Sequence, residues 1–266
     1  MATQTVLSHP LDVAYAGTAI ESGAVPHHEL DLRYFGGRTI PHLTWLNVYA
    51  GTWDRAERRR IDDALAAAMT DAGLNNVLAQ YFPGARVTAR FAGSRSILDC
   101  PASVDAPDVK ELVAPLDGDG AAAIVLFLPR GAVLRHGDVT SMHGLGGFHG
   151  SVHLPHGRTL YYAVAVYCEG SNGIVLFPEP WQNICATVYH ELQEIRTDPD
   201  VEDAINGAGD QVLGWYSPRG GEIGDVAIVM RQVPLADRSG MVPVQLMWSN
   251  AVGGPEGPIN RPHRRR

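Results

Sequence analysis

Cysteine is scarce: the 266 residues contain three, Cys100, Cys168 and Cys185, with no CxxC pair. An odd number at such spacing argues against a disulfide framework or a zinc knuckle and suits a reduced compartment, although one disulfide plus a free thiol stays open. Basic charge is also short. Lys and Arg number 21 against 29 Asp and Glu, giving a formal net charge of -8 and a pI near 5.7. That balance argues against a general nucleic-acid binder. The one basic cluster, RPHRRR at 261–266, reads as a frayed tail. The N-terminal MATQTVLSHPLDVAYAG has no basic start followed by a long apolar run, so no leader or membrane anchor is expected and the expected location is cytoplasmic. P-loop, GxGxxG and GxSxG patterns are missing, which removes the simplest nucleotide-binding and serine-hydrolase readings.

Apolar residues make up 45% of the chain and charged residues 19%, enough for a sizeable core. Residues 1–40, rich in Gly, Pro and His, read as an arm lying on the domain. HLTWLNVYAG (42–51) reads as a buried strand, and a helix comes after it, opened by Asp54 and Glu57 at capping-box spacing. Residues 74–81 and 108–116 read as short helices. ARVTARFAGS (85–94) alternates like an edge strand, and AAAIVLFLP (121–129) and TLYYAVAVYC (159–168) read as buried strands. A long helix runs from 181 to about 197, and short strands are expected at 225–230 and 242–248. This order predicts an α/β (α+β) fold: one domain over 41–252 with a mixed sheet and a long helix, and then a flexible tail at 253–266.

The chemistry lies in YHELQEIRTDPD, on that long helix. At about 100° per residue, Trp181, Ile184, Cys185, Val188, Leu192 and Ile195 form one apolar stripe. His190 and Glu194 fall on the opposite face, one turn apart, where two side chains can bind one metal ion. Glu191, beside them, would then point at a water that the metal activates, as in the H-E-x-x-H metallopeptidases. Glutamate is an acceptable zinc ligand, and Mn, Fe or Ca would also tolerate the set. The alternative is the ordinary polar face of a helix, with a surface salt bridge to Arg196. Asp198, Asp200, Glu202 and Asp203 come directly after it, and GGEIGD (220–225) adds Glu222 and Asp225. Asp200, Glu222 and Asp225 are the candidate third ligands, with Glu222 favoured; such a cluster also suits a solvated loop or a calcium site. His143, His149, His153 and His156 fall within 14 positions. His149 is open as a metal ligand, an oxyanion stabiliser or a core histidine, whereas His153 and His156, flanking Pro155, suggest a turn.

These motifs, taken in order, resemble the EXORDIUM/phosphate-induced protein family. NVYAGTWDRAERRRIDDAL is similar to that family's early strand, turn and helix, and AAIVLFLP with GGFHGS is similar to its strand and Gly-aromatic-x-Gly-x-His segment. YYAVAVY resembles its central strand. HELQEIRTDPD, GWYSPRGGEIGD and LMWSN resemble its HELxExxTDP signature with a downstream Trp-Tyr and E-I-x-D. The resemblance makes Glu194 the expected residue at its position. It points to His149, His190, Glu191, Glu194, Asp198, Glu222 and Asp225, and it implies a zincin-like domain. No leader like that of the plant members is expected, and most of their paired cysteines are missing here.

The expectation is a metal-dependent hydrolase, zinc first, acting on a peptide or small-molecule substrate through a peptide or amide bond. His190 and Glu194 would be ligands, Glu191 the general base, and His149 or Tyr216 the oxyanion stabiliser. No nucleic-acid or membrane partner is expected. The competing expectation is a non-catalytic binding protein that keeps the scaffold, with a structural metal or a carboxylate network.

Overall fold

The computed structural model describes residues 25–117, 120–236 and 239–263; expectations for residues 1–24 lie outside them. The apolar runs form a five-stranded sheet: β1 (His42–Ala50), β2 (Thr88–Ile97), β3 (Ala123–Phe127), β4 (Gly147–His153) and β5 (Thr159–Ala165). Its order is β2-β1-β3-β5-β4. The first four of these run parallel, and β4 alone is antiparallel, on the edge beside β5. Every residue of β3 is buried, as a continuous apolar run predicts for a strand covered on both faces. The alternating 85–94 segment is indeed an edge strand, shifted three residues along the chain.

Three shorter helices accompany the sheet: α1 (Arg55–Thr70), α2 (Ala72–Leu78) and α3 (Ala106–Val113). Asp54 caps α1 by accepting the Ala56 and Glu57 N–H groups, each at 2.9 Å, which satisfies donors that the first turn leaves without partners. The long helix α4 (Pro180–Thr197) packs on α1 and across β4 and β5. Proline at its first position suits a helix start, and Pro199 stops it after Thr197.

The helix is not half solvated. Asn183 to Thr197 are all buried, so the polar side of α4 faces protein instead of water. The surface salt bridge that the alternative reading gives Arg196 is absent among the described residues. Arg196 is fully buried and donates to Asn75 Oδ1, Gln193 Oε1 and the carbonyls of Pro41 and Thr88. Burial pulls its guanidinium down to about 10. Arg196→Ala would leave those acceptors without donors and open a cavity, and is expected to cost about 3–5 kcal/mol in urea unfolding.

Two further expectations need correction. Residues 225–229 form no strand; β6 (Met230–Pro234) starts where that segment was expected to end and pairs with β7 (Met241–Gln245). The 253–263 part of the tail is packed, not loose: β9 (Gly254–Glu256) pairs with β8 (Met247–Ser249), and Ile259 N–H donates to the Gly73 carbonyl at 3.1 Å. The described part of the arm does lie on the domain, with Arg33–Tyr34 paired to Trp215–Tyr216. All three cysteines are free, and burial pushes the Cys168 thiol up to about 12. Among the described residues no helix is long and apolar enough to cross a membrane.

Candidate metal centre

Three elements meet at the buried polar side of α4. The helix brings His190, Glu191 and Glu194, the edge strand β4 brings His149, and the loop after Trp215–Tyr216 brings Glu222 and Asp225. The apolar side chain of Ile223, fully buried, anchors that loop, and its carbonyl accepts from Trp248 N–H at 3.0 Å. Gly224 then passes directly over the His190 ring. A Cβ there would lie 2.6 Å from the imidazole, so the approach requires glycine.

Glu194 stands at the middle. Its Oε1 faces His190 Nε2 at 2.9 Å and accepts Gly224 N–H at 3.2 Å. Its Oε2 faces His149 Nδ1 at 3.4 Å. Asp225 Oδ1 lies 3.5 Å from His190 Nε2, and Glu222 Oε1 lies 3.5 Å from His149 Nε2. Two groups of ligand atoms result, each with all atoms within 4.8 Å: His190, Glu194 and Asp225, and His149, Glu194 and Glu222. Either group can hold a metal ion. Glu222, the favoured third ligand, is therefore placed with His149, and Asp225 completes the set around His190.

The separations around His149 are informative. At 3.4–3.5 Å they are long for charge-assisted hydrogen bonds, which run near 2.7–2.9 Å. Two ligands each about 2.0–2.1 Å from a tetrahedral ion stand about 3.3 Å apart. Glu222 Oε1 has no hydrogen-bond partner although it is buried, and the same is true of Asp198 Oδ2. Buried carboxylate oxygens without partners are costly, and a cation held by the His149 group would satisfy that of Glu222.

The charges respond to one another. Burial alone would push His149 and His190 down, but the surrounding carboxylates, Glu222 foremost for His149 and Glu194 for His190, leave both well above the usual imidazole range. Burial would raise Glu194, but His190 and then His149 bring it down to about 2. Burial dominates at Glu191 and Glu222, which sit above the usual carboxylate range, and it raises Asp198 to about 7. Glu191 Oε2 lies 3.4 Å from His149 Nδ1, inside the cluster without belonging to either ligand group.

Not every candidate converges here. Asp200 accepts from the Tyr161 hydroxyl at 2.9 Å and lies 3.6 Å from Arg38, so it is engaged away from both ligand groups. Tyr216 is half-buried beside the loop, and Glu222, Asp225 and Asp198 add to burial in raising its hydroxyl. His153 pairs with Asp203 at 2.9 Å, and Thr140 with His143 at 3.0 Å.

Two contributors have roles that spacing along the chain does not assign. Asp198 caps α4 while its Oδ1 accepts Gly214 N–H at 2.7 Å, which fixes the start of the loop that carries Glu222. Gln245, on β7, accepts from His190 Nδ1 at 2.9 Å and donates its amide to the Gly224 carbonyl. That second bond sets which way the amide points, so its oxygen accepts the Nδ1 proton and, with a metal bound, Nε2 would be the nitrogen left to ligate it. A lone glutamine in the apolar run VPVQLMW was the available signal. Gln245→Leu is expected to weaken zinc binding about 10–100-fold, measured by competition with a chromophoric chelator.

A scan against protein-family models found no match for this chain, and a search of curated proteins found none either.

Proposed function

We propose that this chain is a metal-dependent hydrolase acting on a peptide or amide bond, with zinc as the metal. The observation that carries this reading is a pair of buried ligand groups sharing Glu194, each with one imidazole and one further carboxylate, the contacts of His149 being longer than charge-assisted hydrogen bonds. Imidazole with carboxylate is a zinc-type donor set, whereas calcium takes oxygen alone. When bound, the metal would supply Lewis acidity to a water and to the substrate carbonyl.

The chain's own groups supply the rest. Glu191, beside the ligands and held above the usual carboxylate range by burial, takes the proton of the attacking water and delivers it to the leaving amine. Tyr216 stays protonated, because burial and the nearby carboxylates raise its hydroxyl, and so can donate to a developing oxyanion. The cluster opens toward solvent at Asp225 and His190, whose side chains are 22% and 11% exposed, so substrate approaches from that side. The β4 edge is restricted: Ser151 N–H is already taken by Glu202 at 3.1 Å, and Glu202 is paired with Lys110 at 2.6 Å. An extended substrate laid along β4 would meet Glu202 at that point.

One observation favours a second reading. His149 and Glu194 are only 3% exposed, which also suits a structural metal in a binding protein. Assay of the zinc-loaded chain against a library of quenched fluorescent peptides separates the two. Cleavage lost in chelator and restored by zinc supports the hydrolase. Zinc retained without cleavage of any peptide or amide supports the binding protein.

A further inference from the structure

We infer that the cluster is built for two metal ions, with the Glu194 carboxylate bridging them; this rests on the metal-centre reading above. The two ligand groups have one residue in common, and it is Glu194. Its two oxygens face different histidines: Oε1 faces His190 Nε2 at 2.9 Å, and Oε2 faces His149 Nδ1 at 3.4 Å, while Glu222 Oε1 faces the other ring nitrogen of His149 at 3.5 Å. Each group also has its own imidazole and its own loop carboxylate, Asp225 for the first and Glu222 for the second. A carboxylate whose two oxygens point at separate ligand sets is the arrangement that holds paired ions about 3.5–4 Å apart.

The donor inventory points the same way. Among the described residues, the ion pairs made by the three ligand carboxylates come from His149 and His190. A first ion held by His190, Glu194 and Asp225 leaves Glu222 with the second imidazole. The unpartnered oxygens point to the second ion in particular. Glu222 Oε1 is buried, has no hydrogen-bond partner, and stands 3.5 Å from His149 Nε2. The first group alone leaves that oxygen unsatisfied.

A second ion changes what the site can do. With Glu194 shared, each ion keeps only two further protein ligands, one histidine and one carboxylate, so both retain positions for water or substrate. Paired ions held here would supply Lewis acidity to the attacking water and to the substrate carbonyl together. Glu191, at 3.4 Å from His149, then lies on the second ion's side.

The test is stoichiometry. The full chain is stripped with chelator, loaded with zinc sulfate, freed of excess, and weighed by native mass spectrometry alongside elemental analysis. Two zinc ions per chain are expected, with His149→Ala and Glu222→Gln each retaining one. A wild-type value of one overturns the pair and leaves the metal-dependent hydrolase standing. A value of zero overturns both. Two ions retained in folded His149→Ala, checked by circular dichroism, would overturn the assignment of the second ion to this group. If either variant fails to fold, a manganese-loaded wild type decides. Exchange coupling in its electron paramagnetic resonance spectrum supports the pair, and an uncoupled spectrum overturns it.

Discussion

Glu191→Gln is expected to lower turnover by about a thousandfold while leaving the bound zinc unchanged. The carboxylate is placed among the ligands but belongs to neither ligand group, so losing it removes a proton acceptor and no metal donor. The amide is isosteric and can still accept from His149 through its oxygen, so the fold and the cluster geometry should persist. Circular dichroism and zinc content of the variant check this. The measurements that matter are kcat and elemental zinc on the same preparation. Unchanged kcat would remove Glu191 as the base. Zinc lost together with activity would make Glu191 a ligand.

Chelation is expected to lower the melting temperature by about 10 °C. A ligand present at a thousand times its dissociation constant stabilises the folded state by about 4 kcal/mol, and for a chain of this size each kcal/mol moves the midpoint by about 2–4 °C. Removing the ion from the His149 group also leaves Glu222 Oε1 buried without a partner. Differential scanning calorimetry before and after dialysis against EDTA, with zinc added back, measures the shift. An unchanged midpoint would mean that the carboxylates satisfy one another through shared protons.

Much of this molecule was legible in the sequence because its signals were local. The β1, β3 and β5 runs are apolar and bounded by turns, and helical spacing alone put His190 and Glu194 one turn apart on α4. GGEIGD offers Glu222 and Asp225 as candidate ligands, and that stretch packs against His190. What could not be read was long-range. Helical periodicity separates two faces of α4 but does not say whether the second meets water or another part of the chain. In the alternative reading Arg196 is a surface cation for that reason, but three of its four acceptors, Asn75, Pro41 and Thr88, lie more than a hundred residues away along the chain. Asp200 matched a spacing, but its side chain turns to Tyr161 instead. The division of ligands, Glu222 with His149 and Asp225 with His190, depends on the turn between residues 222 and 225. Gln245 acts through tertiary contact alone, 55 residues beyond the histidine it orients.

Anomalous X-ray diffraction at the zinc edge, on crystals of the zinc-loaded chain, tests the central claim most directly. The expected result is anomalous density beside Glu194, with a nitrogen of His190 or of His149 about 2.0–2.1 Å from each peak. Crystals of the loaded protein with no anomalous density there, and with the carboxylates hydrogen-bonded to one another and to two imidazoliums, would contradict the metal centre.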